Sequence, residues 1–214
     1  RVGYATKKLK LLGQQFMMLD AIKPSDLSTE DYKKMSETFS WWNSNLYKHM
    51  TKLCVCISFF MCYYDAYKNG YDVVLILEDD IRYAVPIAKI YDAIRQFKWT
   101  VDDILFLGNC YVDCKLPFVQ LTEHVWRAPN NAFILCNHGI VCKKKFLAAY
   151  MKRENVVYWT DRNDRTLSKW LMKTNTYRCV TTKEFVAQNR SELGSNNENF
   201  ENVDNACDFS DKKR

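Results

Sequence analysis

Asp72-Val73-Val74-Leu75-Ile76-Leu77-Glu78-Asp79-Asp80 is the stretch on which the fold turns. Its apolar run, with β-branched Val73, Val74 and Ile76, predicts a strand buried on both faces, as at the centre of a parallel sheet. Three acids follow without a gap. Like charges at the edge of a core cost free energy unless a cation or strong donors compensate them. In open α/β sheets the ligand crevice lies just beyond the carboxyl ends of the strands, where these acids fall. Side chains alternate along a strand, so Glu78 and Asp80 are expected on one side and Asp79 on the other. Two carboxylates converging there suit a hard divalent cation, Mg²⁺ or Mn²⁺. The plainer reading is an acidic turn that caps the next helix and faces solvent.

Outward from this strand, helices and strands alternate. Thr6 to Gly13 predicts a short basic helix ended by glycine, and Phe16–Leu19 a buried strand. Ser28 with Asp31 resembles a capping box, and Trp41-Trp42-Asn43 falls in a connecting loop. Met50–Asn69, apolar nearly all round at its centre, predicts a helix buried on most sides. After the acids come a helix from Pro86 to about Phe97, a buried strand at Ile104–Gly108, and a third at Asn131–Cys136. A helix over about Lys143–Lys152, another over Arg162–Lys173 and a strand at Tyr177–Thr181 complete the body. The expectation is an α/β fold with a mostly parallel central sheet flanked by helices.

The chain has 214 residues, 48% hydrophobic and 26% charged, which bounds it to one sizeable globular domain. Only 6 Gly and 4 Pro argue against a turn-rich sandwich. Residues 1–190 form that domain, and 191–214, rich in Asn, Ser and acids, read as a loosely packed or disordered tail. The tail carries six acids against three bases, so the body holds +9 of a chain whose net charge is +6. A basic body favours an anionic partner. The longest apolar stretch, Leu53–Tyr64, is too short to span a membrane. The 9 cysteines show no C-x-x-C pair and no disulfide framework. That usage predicts a reduced compartment and a cytoplasmic protein.

Val74-Leu75-Ile76-Leu77-Glu78-Asp79-Asp80-Ile81 closely resembles the metal-binding segment of family 25 glycosyltransferases. This family includes lipopolysaccharide-modifying enzymes, procollagen galactosyltransferases and relatives in large DNA viruses. The likeness runs from about Lys10 to Gln188. It takes in Leu19-Asp20-Ala21, Ser58, Asp103–Gly108, Asn131-Ala132-Phe133-Ile134-Leu135, Gly139 where a helix would open, Asp161, and Phe185-Val186-Ala187-Gln188. Cys54 and Phe59 stand where the family has the glycine and histidine of G-C-x-x-S-H, and Asn131 stands for the histidine of H-A-Y.

The resemblance implies a single GT-A-like domain that binds a nucleotide-sugar, with a UDP-sugar as the first choice. Asp80 and Glu78 are then the expected metal ligands for Mn²⁺ or Mg²⁺, with Gln188 as a further ligand. Asp79, Glu78 and Asn131 are expected at the donor, Asp79 accepting hydrogen bonds from ribose hydroxyls. Asp161 is the expected base that deprotonates the acceptor hydroxyl, with Asp164 as the alternative. A divalent ion there stabilises a departing diphosphate, while the sugar passes through an oxocarbenium-like state. The acceptor class implied is a glycan or glycoprotein, and a viral enzyme would work in the host-cell cytoplasm. Two other classes compete: a nucleic-acid-binding module using the basic body, and another metal-dependent phosphoryl-transfer enzyme. The acidic triplet speaks against nucleic acid as the partner, since it repels phosphates unless a metal is bound.

Overall fold

The computed structural model describes residues 6, 7, 9, 10, 13, 16–31, 33, 50–152, 163–188 and 207–209. Trp41-Trp42-Asn43 and Asp161 lie outside them. Residues 6, 7, 9 and 10 are helical. Gly13 closes this stretch at φ 63°, donating its N–H to the Lys10 carbonyl at 3.1 Å. The capping box forms as expected. Ser28 N–H reaches the Asp31 carboxylate at 2.8 Å, and Asp31 N–H returns to the Ser28 hydroxyl at 3.1 Å. Phe16–Leu19 corrects its reading as a buried strand: it has no regular structure, and all four side chains are exposed. An apolar run becomes a strand only where another edge pairs with it, and no described strand does.

Helix α1 (Met50–Asn69) ends at Gly70, whose φ of 69° is the left-handed conformation that glycine adopts without penalty. Phe59, Tyr63 and Ala66 recur at helical spacing and are buried, whereas Val55, Met61, Tyr64 and Tyr67 are exposed. The helix therefore buries one face rather than most sides. Strand β1 (Val73–Leu77) follows, then β2 (Ile81–Tyr83) and helix α2 (Ile87–Lys98), with Pro86 as its N-cap. Next come β3 (Ile104–Gly108), β4 (Val119–Gln120), β5 (Val125–Arg127) and β6 (Gly139–Lys143). Helices α3 (Lys144–Tyr150) and α4 (Asn163–Lys173) precede β7 (Arg178–Thr181) and β8 (Val186–Gln188).

The main sheet runs in the order β1-β6-β3-β7-β5-β4, and a separate ribbon pairs β2 with β8. Only β3 and β7 are parallel neighbours; every other pairing is antiparallel, which corrects the expected mostly parallel sheet. The cause is β6. The sequence reading put a strand at Asn131–Cys136 and a helix opening at Gly139. Residues 131–136 are instead a connection with one isolated bridge, Leu135 to Tyr111, and Gly139 opens a strand that slots between β1 and β3. Strands β1, β3 and β7 still point the same way, so their carboxyl ends share one edge with the start of β6.

Side-chain alternation gives β3 two buried faces. Ile104 and Phe106 join Phe59, Tyr63, Phe146, Leu147 and Trp170 beneath α1, α3 and α4. Leu105 and Leu107 join Ile90, Ala93, Phe97 and Val186 beneath α2 and the β2–β8 ribbon. The result is a mixed α/β layer structure around one sheet.

Two disulfides, Cys110–Cys136 and Cys114–Cys207, correct the reading that the cysteines form no such framework. Their partners lie 26 and 93 residues apart, spacings that carry no local signature. The cysteine argument for a reduced compartment no longer holds for these four, since disulfides persist in oxidising ones. Cys54 and Cys56 are buried free thiols, as expected of small hydrophobes. Of segment 191–214, the described residues 207–209 are anchored. Phe209 stacks at 4.8 Å on Trp126, and its N–H meets the Thr182 carbonyl at 2.7 Å. No helix among the described residues is long and apolar enough to cross a membrane.

Candidate active site

The shared strand edge gathers polar residues that the core has no use for. Glu78 follows the last residue of β1, and its N–H reaches the His138 carbonyl at 3.2 Å, beside the start of β6. Asn109 follows β3, and Asn137 precedes His138. The Cys110–Cys136 bridge, with Cα atoms 5.5 Å apart, clamps these two connections together. Gly108 makes the junction possible. A Cβ there would stand 1.8 Å from the Val186 carbonyl oxygen and 2.5 Å from His138 Nε2.

Burial is deep and hydrogen bonding incomplete. His138 is 2% exposed, with its Nε2 3.4 Å from Glu184 Oε1, yet neither ring nitrogen makes a hydrogen bond. The whole Asn137 side-chain amide and Asn109 Oδ1 are likewise unbonded. Buried polar atoms are nearly always paired in folded proteins. Three such side chains at one edge mark a place prepared for a polar ligand.

The acids behave accordingly. Burial pushes the Glu78 carboxyl from an ordinary 4.5 up to about 7; His138 offsets part of this, while Asp80, Asp164 and Asp79 add to it. Asp80 and Asp164 thus both act on Glu78. Asp80 is 8% exposed, and its Oδ2 accepts a 3.2 Å hydrogen bond from Gln188 Nε2 across the β2–β8 ribbon. Asp79 is exposed. The structure therefore brings Glu78, Asp80 and Gln188 together and turns Asp79 outward. Asn131 is not brought in. It sits exposed in the turn at 129–132, whose carbonyls hold Arg178 at the amino end of β7, the opposite edge of the sheet.

Asp164 lies in the first turn of α4. Its Oδ2 accepts the Cys136 N–H at 3.2 Å and its Oδ1 the Arg165 N–H at 2.8 Å. Ser58, on α1, takes the Ile22 N–H at 2.9 Å and donates to the Cys54 carbonyl, tying the Asp20-Ala21 turn to the helix.

Sequence reasoning passed over Asn109, Asn137 and Glu184, and read His138, a lone histidine beside glycine, as more often a surface or hydrogen-bonded residue than a metal ligand. A signal existed: Asn137-His138-Gly139 opens the apolar run Ile140-Val141-Cys142, a mirror of the acids that close Val73–Leu77.

Two donor sets could interest a metal. Cys110, Cys136 and His138 have ligand atoms within 4.8 Å of one another, but both sulfurs are spent in the disulfide. The carboxylates of Glu78 and Asp80, with the Gln188 amide carbonyl, are hard oxygen donors, and burial first, with neighbouring acids after it, raises the Glu78 pKa. They fit a Mg²⁺- or Mn²⁺-type ion. No curated protein matches this sequence. The family model of glycosyltransferase family 25, described as LPS biosynthesis protein, matches residues 1–177, which takes in Glu78, Asp80, Asn137 and His138. With acids beyond strand β1 and a polar crevice around them, the chain belongs to glycosyltransferase family 25.

Proposed function

We propose that this glycosyltransferase is metal-dependent and moves a sugar from a nucleoside-diphosphate donor, a UDP-sugar in the first instance, to a hydroxyl of a glycan or glycoprotein. One observation carries the reading: Glu78 and Asp80 follow strand β1 within each other's electrostatic reach, near buried side chains of Asn109, Asn137 and His138 with polar atoms that make no hydrogen bond.

Asp80, Glu78 and the Gln188 side-chain carbonyl would hold Mn²⁺ or Mg²⁺. When bound, the ion supplies positive charge that stabilises the leaving diphosphate. Gln188 orients Asp80 through the bond already present. Asp79, facing solvent, accepts hydrogen bonds from ribose hydroxyls. The amides of Asn109 and Asn137 and the ring of His138 offer donors and acceptors to donor oxygens in a dry site, where such bonds are strong. Asp161 serves as the base for the acceptor hydroxyl. Asp164 is the alternative base, its carboxylate held in place by the main-chain N–H groups of Cys136 and Arg165.

The test is calorimetric titration of UDP and UDP-sugars with and without Mn²⁺, on the native chain and on Asp80→Ala. The expected result is metal-dependent binding that weakens at least about a hundredfold in the variant. Equal affinity with and without metal would overturn metal dependence. Binding of a different nucleotide in preference would replace the uridine assignment.

A further inference from the structure

The opposite edge of the sheet, at the amino ends of β1, β3 and β7, carries a second feature that sugar transfer does not use. Four connections meet there. Lys144 N–H bonds the Asp72 carbonyl at 2.9 Å, Lys143 Nζ the Thr100 carbonyl at 2.6 Å, and Asp103 N–H the Tyr177 carbonyl at 3.1 Å. From this continuous edge project Trp99, 81% exposed, and Val101, 69% exposed, with Tyr71 and Tyr177 also exposed beside them.

The charge at this edge is one-sided where it meets solvent. Asp102 and Asp103 are buried and matched by Arg127 and Lys145. Asp72 is exposed and is the acid that does face water. Against it stand Lys98 and Lys144, both exposed, with Arg127 held over the Tyr177 ring at 5.1 Å and Lys98 over Trp99 at 5.9 Å. Aromatic rings with polar tips and lysines that bury their stems are what settles at the headgroup level of a bilayer.

We infer that this edge docks on an anionic lipid surface, with Trp99 and Val101 entering the headgroup boundary and Lys98 and Lys144 meeting lipid phosphates. Charge complementarity favours an anionic partner, and the two protruding apolar tips choose lipid over nucleic acid. A phosphate backbone gives Val101 nothing to bury against, whereas an interface does. Docked this way, the crevice stands about 17 Å away along the five-residue strands and opens toward water.

Vesicle binding requires no donor and donor binding no vesicle, so this inference and the transferase reading fail separately. The experiment is co-sedimentation of the full chain with phosphatidylcholine vesicles, with and without phosphatidylserine, over a range of salt. Binding is expected only with phosphatidylserine and should weaken as salt rises. Lys98→Glu with Lys144→Glu should lower it by about fivefold or more per charge. Trp99→Ala with Val101→Ser should lower it at least about tenfold at an unchanged thermal midpoint. Absence of vesicle binding would overturn the inference, and so would binding indifferent to the Trp99 and Val101 changes. An RNA oligonucleotide that displaces the vesicles, and binds the Trp99→Ala, Val101→Ser variant undiminished, would reassign the edge to nucleic acid.

Discussion

The two ends of the central sheet each carry adjacent aspartates, Asp102-Asp103 before β3 and Asp79-Asp80 after β1, and the fold treats them in opposite ways. Asp102 is 0% exposed and takes a forked pair of bonds from Arg127, Nε at 2.6 Å and Nη2 at 2.9 Å. Asp103 has Lys145 at 3.5 Å. At the other end, burial first and then the charges of Asp80, Asp164 and Asp79 push the Glu78 carboxyl up, with His138 opposing them. Buried acids matched by cations serve the fold. A buried acid set among other acids either keeps its proton or gains a ligand that restores the balance. The same residue types in the same kind of dipeptide thus meet cations at one edge and further acids at the other.

The comparison breaks most sharply at Arg127. Arg127→Ala strips Asp102 of its forked partner and should lower unfolding stability by about 3 kcal/mol. Partial exposure of the guanidinium keeps the loss at the low end for such pairs. Transfer activity per folded molecule should stay close to native. Chemical denaturation with a parallel activity assay checks this, and unchanged stability would mean that the Asp102 pair is dispensable.

Next in size is the pH response of Glu78 in chelated protein. Its folded value, about 7, lies above the ordinary 4.5, so the folded state holds the proton more tightly than the unfolded chain. Below pH 4.5 both states are protonated and the group contributes no penalty. As pH rises toward 7 the unfolded chain ionises first, and stability falls by up to about 3 kcal/mol. Asp103 is also raised, by burial first, so the whole-protein slope mixes both groups. The difference between the native chain and Glu78→Gln isolates Glu78. That difference should vanish below pH 4.5 and grow toward pH 7.

The smallest effect is expected at Gly108. Gly108→Ala places a methyl group 1.8 Å from a backbone oxygen, so strand β3 or β8 must shift. A cost of about 2 kcal/mol is expected. Donor binding should suffer more than the Asp102–Arg127 edge does, which calorimetry and proteolysis of the two ends would separate.

Local order was largely legible in the sequence. Met50–Asn69, Val73–Leu77 and Ile104–Gly108 form where their patterns place them, because apolar period and glycine punctuation are properties of neighbouring residues. The acids after β1 were legible for the same reason. Strand β6 was not. Gly139–Lys143 is five residues opening on glycine, and its strand state comes from edges supplied by β1 and β3 on either side. Phe16–Leu19 erred in the opposite direction, an apolar run for which no described strand offers an edge.

Sequence alone determined which residues can bear charge beyond a buried strand, and so the chemistry open to Glu78, Asp79 and Asp80. It also determined the family through a matching order of motifs. Tertiary structure decided which charges meet. Arg127 reaches Asp102 across 25 positions, Gln188 reaches Asp80 across 108, and Cys207 closes on Cys114 across 93. Those encounters depend on how β6 and β8 are laid against the sheet, and chain folding brings them about over distances that no local pattern encodes.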